Sequence, residues 1–213
     1  MDFLPETISN YVEKYSEQES ELLQELNHET WEKILTPRML SGHLQGRVLS
    51  MLSHMIQPTN ILEIGTYTGY SALCLAEGLK ENGSIDTIDI NEELENFAKK
   101  YFDKAGLKNT IKQHIGNALD IIPTLNKKYD IVFIDADKSN YVNYYNLVLD
   151  MINPGGYIIA DNVLWSGKVT EPIEKMDKDT KTLVDYAQHL ANDNRVQQVI
   201  FPVRDGLLIA RKK

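Results

Sequence analysis

The sequence predicts an α/β fold, one doubly wound domain on a mostly parallel sheet. Three observations carry it. From residue 60 to residue 192, short apolar runs alternate with stretches of helical spacing, the pattern of repeated βαβ units. Two of those runs, Tyr129–Ile134 and Tyr157–Ala160, flank a helical stretch, so their strands are parallel, with the usual right-handed crossover. The chain closes on two apolar runs around Arg204-Asp205-Gly206, a hairpin signal.

The elements follow in order. Residues 5–35 carry Ile8, Tyr11, Val12, Leu22, Leu23, Leu26 and Ile34 at a spacing that suits two helices with a narrow apolar stripe. These N-terminal helices, an extension over residues 1–35, precede the sheet and either cover a site or contact another subunit. Thr36-Pro37-Arg38 breaks the pattern, because the residue before a proline is biased away from helix. Met39–Gly42 continues as loop, and His43–Ile56 reads as a helix with Val48, Leu49, Leu52 and Ile56 inward. Ile61–Ile64 is a strand, Gly65–Gly69 a tight loop, and Tyr70 onward a helix. Ser84–Ile90 is the next strand, and residues 91–105 form an amphipathic helix stopped by Gly106. Ile111–Ile115 is a strand, and Gly116-Asn117-Ala118 turns into a helix ending near Leu125. After the strand Tyr129–Ile134, Ser139–Met151 is helical and closed by Pro154-Gly155-Gly156. Tyr157–Ala160 is a strand, and Val163–Thr170 an irregular loop whose Trp165 suits a pocket mouth. Lys175–Asn192 is a helix, and Gln197–Val203 and Leu207–Arg211 are the hairpin strands.

Composition bounds the function. The chain has 213 residues, 42% hydrophobic and 25% charged, which suits one globular domain with a sizeable core. No apolar run approaches the roughly 20 residues of a membrane span, and the opening residues show no secretory pattern. A lone cysteine, Cys74 in an apolar run, excludes an internal disulfide framework and suits a reducing, cytoplasmic setting. The net charge of −9, from 22 basic and 31 acidic residues, disfavours non-specific nucleic-acid binding.

Two stretches carry chemistry. Parallel neighbours end on one edge of the sheet, so Asp135, Asp161 and Asn162 should meet at the carboxyl edge where open α/β sheets bind ligands. Two carboxylates held close repel each other, and a hard divalent cation relieves that repulsion. Oxygen donors favour magnesium, calcium or manganese over zinc. Lys138, three residues past Asp135, can reach the same spot. The plain alternative is an Asp161-Asn162 turn beside solvated loop charges. In the second stretch, the strand, glycine loop and helix of Asn60–Ala76 make a site for a ligand that approaches the backbone. Its G-x-x-x-G spacing lacks the G-x-G-x-x-G pyrophosphate fingerprint. Asp89, 20 residues past Gly69, is placed to take ribose hydroxyls. Together they indicate an adenosine-type ligand without a bridging pyrophosphate. Glu63, an acid inside a buried strand, needs a partner, and a cationic group of the ligand is one candidate.

Through MLSGHLQG, LEIGTYTGYS, TIDI, FIDADKSNYVNY and DNVLWSGKV, the chain resembles the class I, metal-dependent O-methyltransferases that use S-adenosylmethionine and include catechol and caffeoyl-CoA O-methyltransferases. The resemblance runs from about Thr36 onward. It implies a Rossmann-like, seven-stranded sheet with an antiparallel last strand and a homodimer. It implies that Ser41, Glu63, Gly65, Thr66, Ser71, Asp89, Ala118 and Asp135 bind the methyl donor. By the same resemblance Asp135, Asp161 and Asn162 hold the cation, and Lys138 is the catalytic base beside Asp135. Met39, Trp165, Lys138 and Asn162 fall at the acceptor.

The chemistry agrees. A sulfonium methyl is already electrophilic, so the enzyme needs a deprotonated oxygen aimed at it, and a cation chelated by two vicinal hydroxyls lowers their pKa. Lys138 is placed to take the proton, and the rest is alignment. The expected acceptor is a catechol or hydroxycinnamoyl-type small molecule. A tRNA hydroxyuridine acceptor on the same fold is the alternative, for which Arg38, Arg47, Lys168 and Arg211-Lys212-Lys213 are the candidate basic surface. A nicotinamide dehydrogenase is disfavoured by the missing fingerprint, and an idle binding protein by the intact acidic set.

Overall fold

The computed structural model describes residues 4–213. In chain order the strands are β1 (Asn60–Ile64), β2 (Ser84–Asp89), β3 (Ile111–Ile115), β4 (Tyr129–Ile134), β5 (Ile152–Ala160), β6 (Val196–Phe201) and β7 (Leu207–Lys212). They form one sheet in the order β3-β2-β1-β4-β5-β7-β6. β1 to β5 pair in parallel, and β7 runs antiparallel to both neighbours, β5 and β6. The reversed strand is therefore last in sequence but inside the sheet, and β6 forms the edge. Strand order reverses between β1 and β4, the switch point at which such sheets open a crevice beyond their carboxyl ends.

The helices are α1 (Glu6–Tyr15), α2 (Glu21–Lys33), α3 (Gly42–Ile56), α4 (Tyr70–Ala76), α5 (Glu95–Lys104), α6 (Ala118–Ile121), α7 (Tyr141–Val148) and α8 (Lys178–Ala191). Alternate strand residues point to opposite faces, and two apolar layers result. On one face Leu62, Val132, Ile158 and Leu208 pack with Tyr145 and Val148 of α7 and Leu183 and Tyr186 of α8. On the other, Ile61, Ile131, Phe133 and Ile159 pack with Leu23 and Leu26 of α2, Leu49 of α3 and Phe102 of α5. Strands buried on both faces read as continuous apolar runs, which is why β1 and β4 were visible in the sequence.

Several boundaries differ from the sequence reading, each for a physical reason. Residues Pro37–Met39, expected as loop, form a 3-10 turn with proline at its start, a position that needs no donor N–H. The inward face of α3 is more polar than its apolar spacing suggested: Gln45, Gly46, Ser50 and Ser53 are buried with Leu49, and Ser53 donates to the Leu75 carbonyl at 2.6 Å. β5 begins at Ile152, five residues early, because Pro154-Gly155-Gly156 is a bulge within it: Tyr129 pairs with Ile152, but Ile131 pairs with Tyr157. α8 starts at Lys178, because Asp177 caps it by accepting from Thr180 N at 2.8 Å. α1 buries none of its residues and exposes Ile8 and Tyr11. Only α2 of the N-terminal pair docks on the body, through Leu23 and Leu26 and through Glu29, which receives Lys100 and Tyr101 of α5. No helix among the described residues is long and apolar enough to cross a membrane.

Candidate active site

The floor of the site is made by backbone ladders that run one residue past each strand. Gly65 N donates to Ile88 O at 2.8 Å, Asp135 N to Ile64 O at 2.9 Å, and Asp161 N to Ile134 O at 2.9 Å. Three bonds in register bring the ends of β1, β4 and β5 side by side and aim Asp135 and Asp161 from neighbouring positions. Gly65 is required there. Its φ is +105°, and a Cβ would stand 2.0 Å from the Asp135 carbonyl oxygen, so any side chain would push Asp135 out of place.

The electrostatics of the acidic pair follow from this geometry. Asp161 is 3% exposed. Burial, then the neighbouring Asp135 charge, hold its carboxyl well above the usual carboxylate range. Its Oδ2 accepts from Gln45 Nε2 at 2.6 Å, and its Oδ1 from the backbone N of Asn162 at 2.6 Å. Asn162 itself stands at φ +58°, a left-handed conformation that asparagine tolerates. Lys138, 9% exposed, donates from Nζ to Asp135 Oδ1 at 3.2 Å and to the Tyr141 hydroxyl at 2.7 Å. One ammonium against two carboxylates leaves a net negative charge in a site whose donors are all oxygens. The donor set of Asp135, Asp161 and Asn162 is of the kind a hard divalent cation takes. The set is two carboxylates and an amide; no group of three His, Cys, Asp or Glu side chains converges here or elsewhere among the described residues.

The glycine loop and Asp89 lie next to it. Asp89 Oδ2 accepts from Tyr67 N at 2.6 Å and its Oδ1 from Asn91 N at 2.8 Å, so the glycine loop is tied to the end of β2. A cavity of about 1280 Å³ joins the two sides. Met39, Ser41, Gly65, Thr66, Ser71, Asp89, Ala118, Asp135, Lys138, Asp161, Asn162 and Trp165 all line it. Segment 33–41 and the loop bearing Trp165 form its walls.

Glu63 is the exception: it is fully buried and does not line the cavity. Its partners are hydroxyls of the protein, Ser71 Oγ at 2.6 Å and Thr87 Oγ1. Burial pushes its carboxyl up to about 8, so it is largely neutral at pH 7 and serves as a hydrogen-bonding anchor behind Ser71. The cationic ligand group that its sequence position suggested is not needed to satisfy it.

Two neighbours of the site, Gln45 and Arg204, were missed in the sequence, and a third, Tyr141, was expected near the acceptor but not as a partner of Lys138. Gln45 is 1% exposed and orients Asp161 from a residue 116 positions away. Tyr141 is fully buried, receives Lys138 and donates to the Asp161 carbonyl at 3.0 Å. Arg204, in the final hairpin, also lines the cavity. The buried polar position in α3 was a signal for Gln45. Nothing local marked Arg204.

Comparison with known proteins agrees with this geometry. A family model described as O-methyltransferase matches residues 13–213. A caffeoyl-CoA O-methyltransferase of Nicotiana tabacum is 37% identical over 179 residues, covering 79% of this chain and 75% of that protein. An enzyme of the same description from Medicago sativa is also 37% identical, covering 79% and 72%. Among solved structures, an O-methyltransferase from Bacillus cereus in complex with S-adenosylhomocysteine superposes with a TM-score of 0.90 at 28% identity, covering 97% of each chain. TomG of Streptomyces achromogenes, in complex with S-adenosylmethionine, gives 0.89 at 30%, covering 97% and 96%. Fold and site together define a class I methyltransferase. The chain belongs to the O-methyltransferase family, among the S-adenosylmethionine-dependent enzymes of the caffeoyl-CoA and catechol type.

Proposed function

We propose that the protein transfers the methyl group of S-adenosylmethionine to one hydroxyl of a catechol-like vicinal diol, with a divalent cation at Asp135, Asp161 and Asn162. The observation that carries this reading is Asp161, buried beside Asp135 so that two carboxylates share the one Lys138 ammonium, in one cavity with the glycine loop and Asp89. When bound, a cation there supplies positive charge that lowers the pKa of both acceptor hydroxyls. Lys138, held by Asp135 and Tyr141, takes the released proton at Nζ in its neutral amine form, the resting ammonium having first given a proton to solvent. Ser41, the Gly65-Thr66 backbone, Ser71, Asp89, Ala118 and Asp135 hold the donor, with Glu63 fixing Ser71 from behind. Met39 and Trp165 flank the acceptor ring, and the wall they form limits the approach of water. What remains is orientation of oxygen, methyl carbon and sulfur. The relatives named for caffeoyl-CoA support an acceptor with vicinal hydroxyls on an aromatic ring.

A small acceptor also accords with the surface charge. Arg47 is spent on Glu77 at 2.8 Å, Lys168 on Asp177 at 3.3 Å, and Lys212 on the Leu149 and Ile152 carbonyls. These three side chains are engaged within the protein, which favours the small acceptor over a phosphate backbone.

Asp161→Ala and Asn162→Ala test the proposal. Magnesium-dependent turnover of a catechol should be lost while calorimetric binding of S-adenosylhomocysteine largely survives. Full activity of either variant in the presence of a chelator would exclude the metal mechanism.

A further inference from the structure

We infer that Arg204 selects acceptors that carry a carboxylate on a short arm from the catechol ring. The inference rests on the catechol reading above and adds the chemical class of the acceptor.

Four cationic side chains line the cavity: Lys33, Arg38, Lys138 and Arg204. Lys33 is bonded to Glu29 at 2.7 Å and Lys138 to Asp135. Neither Arg38 nor Arg204 has a carboxylate within ion-pair distance among the described residues, and of the two only Arg204 is bonded to the Gln45 that holds Asp161. Its Nη1 makes two long contacts with neutral oxygens, the Leu40 carbonyl and Gln45 Oε1, each at 3.4 Å. A guanidinium has five N–H donors in a planar fork, so most of this one is available to a ligand.

The backbone that carries it is fixed, while the side chain itself is exposed. Arg204 stands at φ +48°, a left-handed conformation unfavourable for a residue with a long side chain. The turn is nevertheless held, because it is stapled to the segment that follows the metal ligands. Leu164 N donates to the Asp205 carbonyl at 2.9 Å, Val163 N to the Gly206 carbonyl at 3.2 Å, and Ser166 N to Asp205 Oδ1 at 2.5 Å. The strained backbone thus puts an unneutralised cation on the wall beside Asp161 and Trp165.

The distance sets the ligand. Arg204 bonds Gln45, and the same Gln45 amide bonds Asp161. By ordinary amide dimensions the guanidinium therefore stands no more than roughly 8 Å from Asp161 Oδ2. A catechol whose hydroxyls lie at the acidic pair reaches that far with a carboxylate attached to the ring directly or through a short chain. A phosphate at the end of a long acyl carrier lies beyond it. Carboxylate matches the guanidinium fork in bidentate geometry. In a chain of net charge −9, a positive group on this wall also offsets the repulsion an anionic acceptor meets elsewhere.

The test compares a vicinal dihydroxybenzoate with its neutral amide, with magnesium present, for the wild type, Arg204→Gly and Arg204→Lys. Glycine suits the left-handed backbone, so that variant folds; lysine keeps the charge and loses the fork. The wild type is expected to favour the acid in kcat/KM by about tenfold or more, the usual worth of a charge-assisted pair. Arg204→Gly should bring the ratio close to one through the KM of the acid, and Arg204→Lys should fall between. A wild-type ratio near one, or a ratio unchanged in Arg204→Gly, overturns the inference. If neither compound is methylated, the catechol reading itself fails. Calorimetric binding of the two compounds to the S-adenosylhomocysteine complex then decides for Arg204: selective loss of acid binding in Arg204→Gly upholds it, and equal affinities overturn it.

Discussion

Replacing Asp161 by asparagine should stabilise the metal-free protein at alkaline pH and remove its stabilisation by magnesium. Asp161 is 3% exposed and faces Asp135. Its folded-state pKa is raised above the ordinary 3.8, so its favourable contribution is complete below that value. It is lost as pH rises through the raised value, because the folded protein must then hold a buried, poorly compensated charge. An incompletely paired buried carboxylate costs about 3 kcal/mol. The asparagine oxygen keeps the Gln45 bond, but its NH2 then meets the Asn162 N–H that Asp161 now accepts, a loss of about 1 kcal/mol. The net gain of about 2 kcal/mol corresponds to roughly 4–8 °C in Tm for a chain of this length. Calorimetric melting of both proteins at about pH 5 and about pH 8, with and without magnesium, reads it; the difference should be small at the lower pH. A metal-free Asp161→Asn protein that melts at or below the wild type at the higher pH would refute the electrostatic account. So would a variant that magnesium still stabilises.

Three further outcomes follow from the same geometry. Lys138→Ala should lower kcat by about 10²–10⁴-fold, the worth of a positioned base, with S-adenosylhomocysteine affinity nearly unchanged; an unaltered single-turnover rate would remove Lys138 as the base. Gln45→Leu deletes the donor that orients Asp161 and should weaken manganese binding, measured by electron paramagnetic resonance, by about 10–100-fold. Equal manganese affinity in the folded variant would contradict that positioning role. Glu63, with its carboxyl pushed up from 4.5 to about 8 by burial, contributes stability that is complete below the lower value and is lost progressively as pH rises through the higher one. Glu63→Gln should therefore abolish the part of the loss in thermal stability that accrues between about pH 4.5 and about pH 8, while binding S-adenosylhomocysteine much as the wild type does. A large fall in affinity would place Glu63 in direct contact with the donor.

What was legible in the sequence was what is local. β1 and β4 are short apolar runs because both faces of the sheet are covered, and the ends of parallel strands lie on one edge. Strand runs alone therefore located Asp135, Asp161 and Gly65. The crossover rule supplied their adjacency. Long-range partners were not legible. Gln45 meets Asp161 across 116 positions, and no spacing rule links α3 to the end of β5. Glu63 was visible as an anomaly, but that Ser71 and Thr87 satisfy it required knowing how α4 and β2 pack against β1. The unburied face of α1 shows the opposite limit: helical spacing predicts an amphipathic helix, and says nothing of whether a partner covers it. Arg204 was hidden because a D-G hairpin announces a turn, without saying which cavity the turn borders.

The central claim is that the acidic pair activates a vicinal diol through a divalent cation. Methyl transfer from S-adenosylmethionine to a small panel of catechols, run with magnesium and with chelator, tests it most directly. The account predicts turnover with the metal and its loss with the chelator, while donor binding is retained. Turnover undiminished by the chelator would contradict the metal mechanism, and no turnover of any catechol by donor-bound enzyme would contradict the acceptor class.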